Sequence, residues 1–481
     1  MRWTNDQVAR ALGVAIPTGV DPVARLAGVS IDSRTVGRGE LFFAIRGPSH
    51  DGHTFVAQSL AAGAGAVVVA QAKLGEFPDG VRKKLFAVPD TLAALQQLAR
   101  AIRREWGGRV AAVAGSVGKT TTKEILAALA AARFRTLKTE GNLNNEYGLP
   151  LTLAKLESEH EAAVVELGMS RRGELARLTE IAEPQVGLIT RIAIEHLEFF
   201  ASLDEIALAE RELIENLPGR ETVAVLNADD PYATQFAGVA PGRVVMFGMS
   251  PRADFRVEAI EDLGAEGSAF TFVAPEGSAR LKLSLVGKHN VANALAALAT
   301  ASVWGIGARE ASEVLPRMKP AAMRGEVLRF EEGFTVINDS YNSSPAAMAS
   351  VTDLLAATPG HRRRILAAGE MLELGSTSAE LHREAGRNAA AKKLDYILGV
   401  RGDAAEFIKA AITAGVPESH ARYFPNSQDA GEFLAGIVQK GDLILVKGSR
   451  GVRMERVIEA IRARHALVET GASVSTAAER H

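Results

Sequence analysis

Seven consecutive residues, Gly115-Ser116-Val117-Gly118-Lys119-Thr120-Thr121, carry the densest chemistry in this chain. They follow the apolar run 110–114 and open a helical pattern over 119–132. Strand, glycine turn and helix start, in that order, make a phosphate cradle in which backbone N–H groups and the positive helix end face an anion. Lys119 adds a mobile positive charge, and Thr120 offers a hydroxyl to magnesium. Glu166 ends a second apolar run, Val164-Val165-Glu166-Leu167-Gly168-Met169. A carboxylate at the carboxyl edge of a parallel sheet lies where such a loop opens, so Glu166 is the expected magnesium ligand. His196 follows a further run, in Ile194-Glu195-His196-Leu197. It reads as a structural histidine or as a metal ligand. Asn142, Asn144 and Asn145 share a glycine-flanked loop, where asparagines serve turn chemistry or hold oxygens without adding charge.

The elements that must position these residues are legible in outline. The chain has 481 residues, enough for two to four domains. Residues 1–106 read as a small α/β unit with strands at 41–45 and 66–70 and an amphipathic helix over 91–106 capped by Thr91. Gly107-Gly108 marks the boundary. Residues 107–322 alternate strands and helices, with apolar runs at 110–114, 162–165, 186–192, 222–226 and 244–247 that suit a parallel sheet buried on both faces. The stretch 254–286 alternates more and predicts added antiparallel strands; 289–303 returns to a helical pattern. Residues 323–466 form a third, Rossmann-like α/β unit with strands at 334–337, 364–368, 396–400 and 443–446. A polar tail over 467–481 is expected to be disordered. The fold class is therefore α/β, a central P-loop domain flanked by two smaller α/β domains.

Composition narrows the function. A net charge of −2 gives no field to draw the chain onto nucleic acid or an acidic membrane. The absence of cysteine excludes disulfides, thiolate catalysis and Cys-ligated metal centres. No apolar run is long enough for a membrane span, and the first residues lack the core of a signal peptide. A cytoplasmic, monomeric enzyme is expected. The Asn-Lys-x-Asp signature of the common GTPases is absent, which weighs against a P-loop switch.

The general P-loop wants a glycine where Val113 stands. The tighter Gly-x-x-Gly-Lys-Thr-Thr form resembles that of the Mur ligases and folylpolyglutamate synthases, and further motifs in the Mur order extend the resemblance to about residue 466. They include Asp32-Ser33-Arg34, His50-Asp51-Gly52-His53, Glu166-Leu167-Gly168-Met169, His289-Asn290-Val291-Ala292-Asn293, Asp339-Ser340-Tyr341-Asn342 and Gly369-Glu370-Met371. The resemblance implies an ATP- and Mg2+-dependent amide ligase, with UDP-N-acetylmuramoyl-tripeptide and D-alanyl-D-alanine as substrates and an acyl phosphate between them. It implies phosphate contacts from Gly115, Ser116, Val117, Gly118, Lys119, Thr120 and Thr121, with Arg324 reaching across the 322–323 junction. Asn293 is implied to read adenine and Asp339 to hold ribose. Asn142 and Asn145 are implied to lie beside the transferred phosphate, and His196 and Glu210 beside a second metal. At the Glu210 position the family carries a lysine that takes up carbon dioxide; a glutamate already bears the carboxylate such a carbamate would supply. Ser30, Ser33, Arg34 and Arg46 are implied contacts to the uridine nucleotide, and Glu373 and Lys447 to the incoming substrate.

Overall fold

The apolar runs become the inner strands of three sheets. The computed structural model describes residues 3–47 and 50–468. Among these residues the first sheet has four parallel strands, Val29–Ser30, Leu41–Phe43, Ala66–Ala70 and Leu85–Val88, in chain order. The second sheet has nine. From one edge they run Gly277–Leu283, Ser268–Ala274, Phe255–Asp262, Arg243–Gly248, Val223–Asn227, Val186–Ile189, Arg109–Ala114, Ala162–Glu166 and Thr136–Lys138. The first two pairings are antiparallel and the others parallel, as the change of patterning at 254–286 predicts. The third sheet orders Glu326–Arg329, Thr335–Asp339, Asp442–Lys447, Arg363–Gly369, Tyr396–Val400 and Ala421–Phe424, antiparallel only at its first pair.

Alternation along a strand sends successive side chains to opposite faces. Val110, Ala112 and Ala114 enter one core, shared with the helices Thr91–Trp106 and Glu174–Ala182; Ala111 and Val113 enter the other, beneath the helices Lys119–Ala131 and Lys288–Ser302. All five strand residues are completely buried. The helix Thr91–Trp106 therefore packs the first sheet and the central sheet into one core. It ends at Gly107, whose φ of +69° suits glycine and whose N–H donates to the Arg103 carbonyl.

Four expectations need correction. Asp90, not Thr91, caps that helix: its Oδ1 accepts from the Ala93 N–H at 2.7 Å, while the buried Thr91 hydroxyl donates to the Ala44 carbonyl. The strand expected over 41–45 stops at Phe43. The run at 186–192 leaves the sheet after Ile189, because Thr190–Ile192 bend over the phosphate loop: Ser116 N–H donates to the Arg191 carbonyl, and the Thr190 hydroxyl reaches the Val117 carbonyl. Leu467, expected to begin the tail, instead pairs with Phe330 on the third sheet. Val468 N–H likewise donates to the Arg329 carbonyl, and the remainder of that tail, 469–481, lies outside the described residues.

Candidate active site

The carboxyl edges of the central and third sheets face one another across a cavity of about 250 Å³. One wall is the phosphate loop, with Ser116, Val117, Gly118 and Thr121; the other carries Asp339, Asn342, Glu373 and Lys447. Two glycines are required here. A Cβ on Gly118, at φ +92°, would stand 2.3 Å from Asn293 Oδ1, and one on Gly115, at φ +118°, would stand 2.3 Å from the Thr190 hydroxyl. Any side chain would push the loop away from the helix that brings Asn293 to it.

Lys119 folds back over its own loop, with Nζ 2.5 Å from the Gly115 carbonyl and 3.7 Å from Glu195 Oε1. Burial pulls its pKa down, but the carboxylates of Glu195, Glu210 and Glu166 more than offset that and hold the ammonium charged. Glu210 is 2 % exposed, and its Oε2 accepts from the Gly115 N–H at 2.8 Å. Burial, reinforced by Glu195 and opposed by Lys119, pushes its pKa up to about 8. Glu195 is also pushed up by burial, against the pull of Lys119 and His196. Nothing in its sequence setting marked Glu195 as more than the neighbour of His196; the partly buried acid beside Lys119 emerges only from the fold.

Glu166 is 2 % exposed. Its Oε1 accepts from Asn144 Nδ2 at 2.8 Å, whereas its Oε2 is buried with no hydrogen-bond partner. An unpartnered, buried carboxylate oxygen is a donor suited to a hard cation. Among the described residues no three His, Asp or Glu side chains form a closed metal cage.

The asparagine loop divides its labour. Asn144 reaches Glu166, Asn145 Oδ1 accepts from the Gly148 N–H at the start of the helix Gly148–Leu153, and Asn142 is exposed. His196 donates through Nδ1 to Glu373 Oε2 at 2.5 Å, and its Nε2 lies 3.7 Å from Glu195. Burial pulls the imidazole pKa down, but Glu373 and Glu195 together raise it. Arg324 stacks its guanidinium on the Tyr341 ring at 4.3 Å, a preorganised cation at the cavity wall. Asp339 Oδ2 pairs with Lys447 Nζ at 2.6 Å, and Lys447 is 4 % exposed. The first domain's candidates lie apart: Ser30, Ser33, Arg34 and Arg46 do not line this cavity. Arg34 closes a two-pronged pair on Asp32, whose pKa it lowers to about 2, and the backbone of Arg46 pairs antiparallel with that of Asp51.

Comparison with known proteins agrees with this geometry. Three family models match in succession: the Mur ligase family catalytic domain over 25–103, the Mur ligase middle domain over 113–301 and the Mur ligase glutamate ligase domain over 323–450. The chain belongs to the Mur ligase family. It is an ATP-dependent ligase of three α/β domains. The UDP-N-acetylmuramoyl-tripeptide–D-alanyl-D-alanine ligases of Escherichia coli and Bacillus subtilis are 35% and 33% identical to it, over 91% and 90% of this chain and 94% and 92% of theirs. Among solved structures, MurF from Acinetobacter baumannii superposes with a TM-score of 0.86 at 30% identity, covering 96% of this chain and 99% of its own. MurF ligase from Thermotoga maritima in complex with ADP gives 0.78 at 29% identity, over 91% and 97%.

Proposed function

We propose that this ligase joins D-alanyl-D-alanine to the terminal carboxylate of UDP-N-acetylmuramoyl-tripeptide, with ATP converted to ADP and phosphate. The observation that carries the reading is likeness along nearly the whole chain, first domain included, to ligases named for that reaction. In the first step a tripeptide carboxylate oxygen bonds to the γ-phosphorus and the bond to the ADP oxygen breaks. In the second, the amine of D-alanyl-D-alanine bonds to the acyl carbon, phosphate leaves and the nitrogen loses a proton.

The residues take roles by position and charge. Lys119, with Gly115, Ser116, Val117, Gly118, Thr120 and Thr121, cradles the phosphates; Arg324 adds a second cation from the other side of the domain junction. Their fixed charges lie where negative charge is redistributed during transfer. Asn293 reads adenine, and Asp339 keeps its Oδ1 for ribose while Lys447 holds Oδ2. Asn142 and Asn145 hold carboxylate and phosphate oxygens as neutral donors. Thr120 and Glu166 would hold magnesium, with His196 and Glu210 nearby; the ion supplies charge neutralisation to the phosphates when bound. Residues 1–106 bind the uridine nucleotide through Ser30, Ser33, Arg34 and Arg46, residues 107–322 bind ATP, and residues 323–466, through Glu373 and Lys447, face the incoming dipeptide. We infer a cytoplasmic monomer; no described helix is long and apolar enough to cross a membrane.

Phosphate release tests the reading. It is expected to stay low with ATP and either substrate alone, and to rise only when the UDP-muramoyl-tripeptide and D-alanyl-D-alanine are both present. Release at the same rate without either substrate would overturn it. Running the assay with diaminopimelate or lysine as the third peptide residue identifies the preferred tripeptide.

A further inference from the structure

The central and third domains touch where Ser350 meets His289, at 3.4 Å, and are pinned more closely around Glu373. Glu373 gives its side chain to His196 Nδ1 and its carbonyl to the Glu198 N–H, 3.1 Å away. Gly375, two residues on, packs so closely that a Cβ there would stand 3.1 Å from the Leu197 carbonyl. Both partners have left-handed backbones, with φ +53° at His196 and +65° at Glu373, a conformation that costs a non-glycine residue energy and persists only where its surroundings enforce it.

The loop that presents Glu373 is held rigidly. Met371 N–H donates to Nε2 of the fully buried His382, whose Nδ1–H donates in turn to the Ser378 carbonyl. Leu372 N–H donates to the Ser449 hydroxyl, and Thr377 closes back on the Leu374 carbonyl. Glu373 is therefore a fixed feature of the third domain, and His196 a feature of the central one. With Nδ1 committed to Glu373, Nε2 is left facing Glu195 and the cavity. The carboxylate is half-exposed, so the pair is weak as glue and suited to forming and breaking.

We propose that Glu373 is a positioning residue, whose carboxylate sets the His196 ring only while the third domain is docked on the central one. Closure then completes the site as well as covering it. The proposal rests on the reading above for what His196 acts upon, but not for the pin itself.

Two variants and two readouts test it. Glu373→Ala removes the acceptor; Glu373→Gln keeps an acceptor oxygen and removes the charge. We expect Glu373→Ala to lower kcat roughly 10–100-fold with the KM for ATP changed less than about threefold, and Glu373→Gln to recover most of that loss. The chain has no cysteine, so Arg220→Cys and Glu418→Cys accept a fluorescent donor and acceptor on the central and third domains. Energy transfer in the full chain without ligand should show the docked-to-open ratio falling roughly fivefold in Glu373→Ala and little in Glu373→Gln. Equal loss in both variants, wild-type kcat in Glu373→Ala, or an unchanged ratio would overturn the proposal. If the wild-type chain forms no amide product, the functional reading fails, and the docking ratio alone decides the pin.

Discussion

Two buried acids, Glu166 and Glu210, and the partly buried Glu195 around one lysine make the site's charge balance unusually tight. Lys119 is the only one of the four that carries positive charge, and in the proposed reaction it neutralises phosphate as well. Lys119→Ala should slow amide formation roughly 10²-fold or more, several kcal/mol of transition-state stabilisation, in a steady-state assay. Glu210 makes a sharper prediction. Its folded pKa of about 8 lies above its ordinary 4.5. Below pH 4.5 both folded and unfolded states keep the proton. As pH rises from there towards 8 the unfolded state loses it first, so stability falls across that window and levels off above it. The melting temperature of the ligand-free chain should therefore decline from pH 5 to pH 8, and Glu210→Gln, which keeps an acceptor for the Gly115 N–H, should flatten the decline. A parallel decline in the variant would assign the slope elsewhere. The same residue predicts that activity does not depend on bicarbonate, since the carboxylate is already part of the side chain; strong stimulation by bicarbonate would contradict that role.

Between sheet and helix, the order of the phosphate loop depends on a second lysine, one helical turn further on. Lys123 is 1 % exposed, and its Nζ donates to the Thr139 carbonyl at 2.7 Å and pairs with Glu124 at 2.8 Å. Thr139 in turn accepts from the Glu166 N–H through its hydroxyl. One buried cation thus ties the phosphate-loop helix to the strand ends that carry the asparagines and Glu166. Lys123→Met fills the space but leaves a buried carbonyl unpaired, and should cost about 1–3 kcal/mol of stability by thermal or urea unfolding. Wild-type stability in that variant would mean that water replaces the ammonium. Much at this level was legible in the sequence. The strand stretches at 110–114, 162–165, 223–226 and 396–400 are continuous apolar runs because both of their faces are covered. The strands Val29–Ser30 and Thr136–Lys138 passed unnoticed because they are short edge strands with half-exposed side chains, so burial leaves no pattern in them. Asp90 and Thr91 are both good capping residues, and only the contact from Thr91 to Ala44, 47 residues away, decides between them. The His196–Glu373 contact spans 177 residues and two domains, and no local pattern encodes it.

The three domains must deliver ATP and two further substrates to one place, so the rigidity of each junction matters as much as any side chain. The junction between the first and central domains is built differently from the pin at Glu373. Arg103 is 4 % exposed and donates to the carbonyls of Ala182 and Glu183, at 2.8 and 3.0 Å, where the helix Glu174–Ala182 ends. A guanidinium there meets the negative end of the helix and satisfies carbonyls that have no partner within it. Arg100 and Arg104 add ion pairs to the Glu183 side chain, and Trp106 Nε1 donates to the His160 carbonyl. With a continuous core beneath, this junction should behave as one rigid body while the third domain moves. Arg103→Ala leaves two buried carbonyls unpaired and should cost about 2–3 kcal/mol, whereas Arg104→Ala removes only a half-exposed pair and should cost under about 1 kcal/mol. The functional consequence follows from geometry. The nucleotide contacts proposed above lie in the central and third domains, so the affinity of Arg103→Ala for ADP by calorimetry should stay within about threefold of wild type. The KM for the UDP-muramoyl-tripeptide should rise, because on the proposed assignment that substrate reaches from the first domain to the phosphate loop and a loosened junction no longer fixes the distance. An ADP affinity that falls in step with the rising KM would show that the first domain shapes the nucleotide site itself, and the division between a rigid pair and a mobile third domain would not hold.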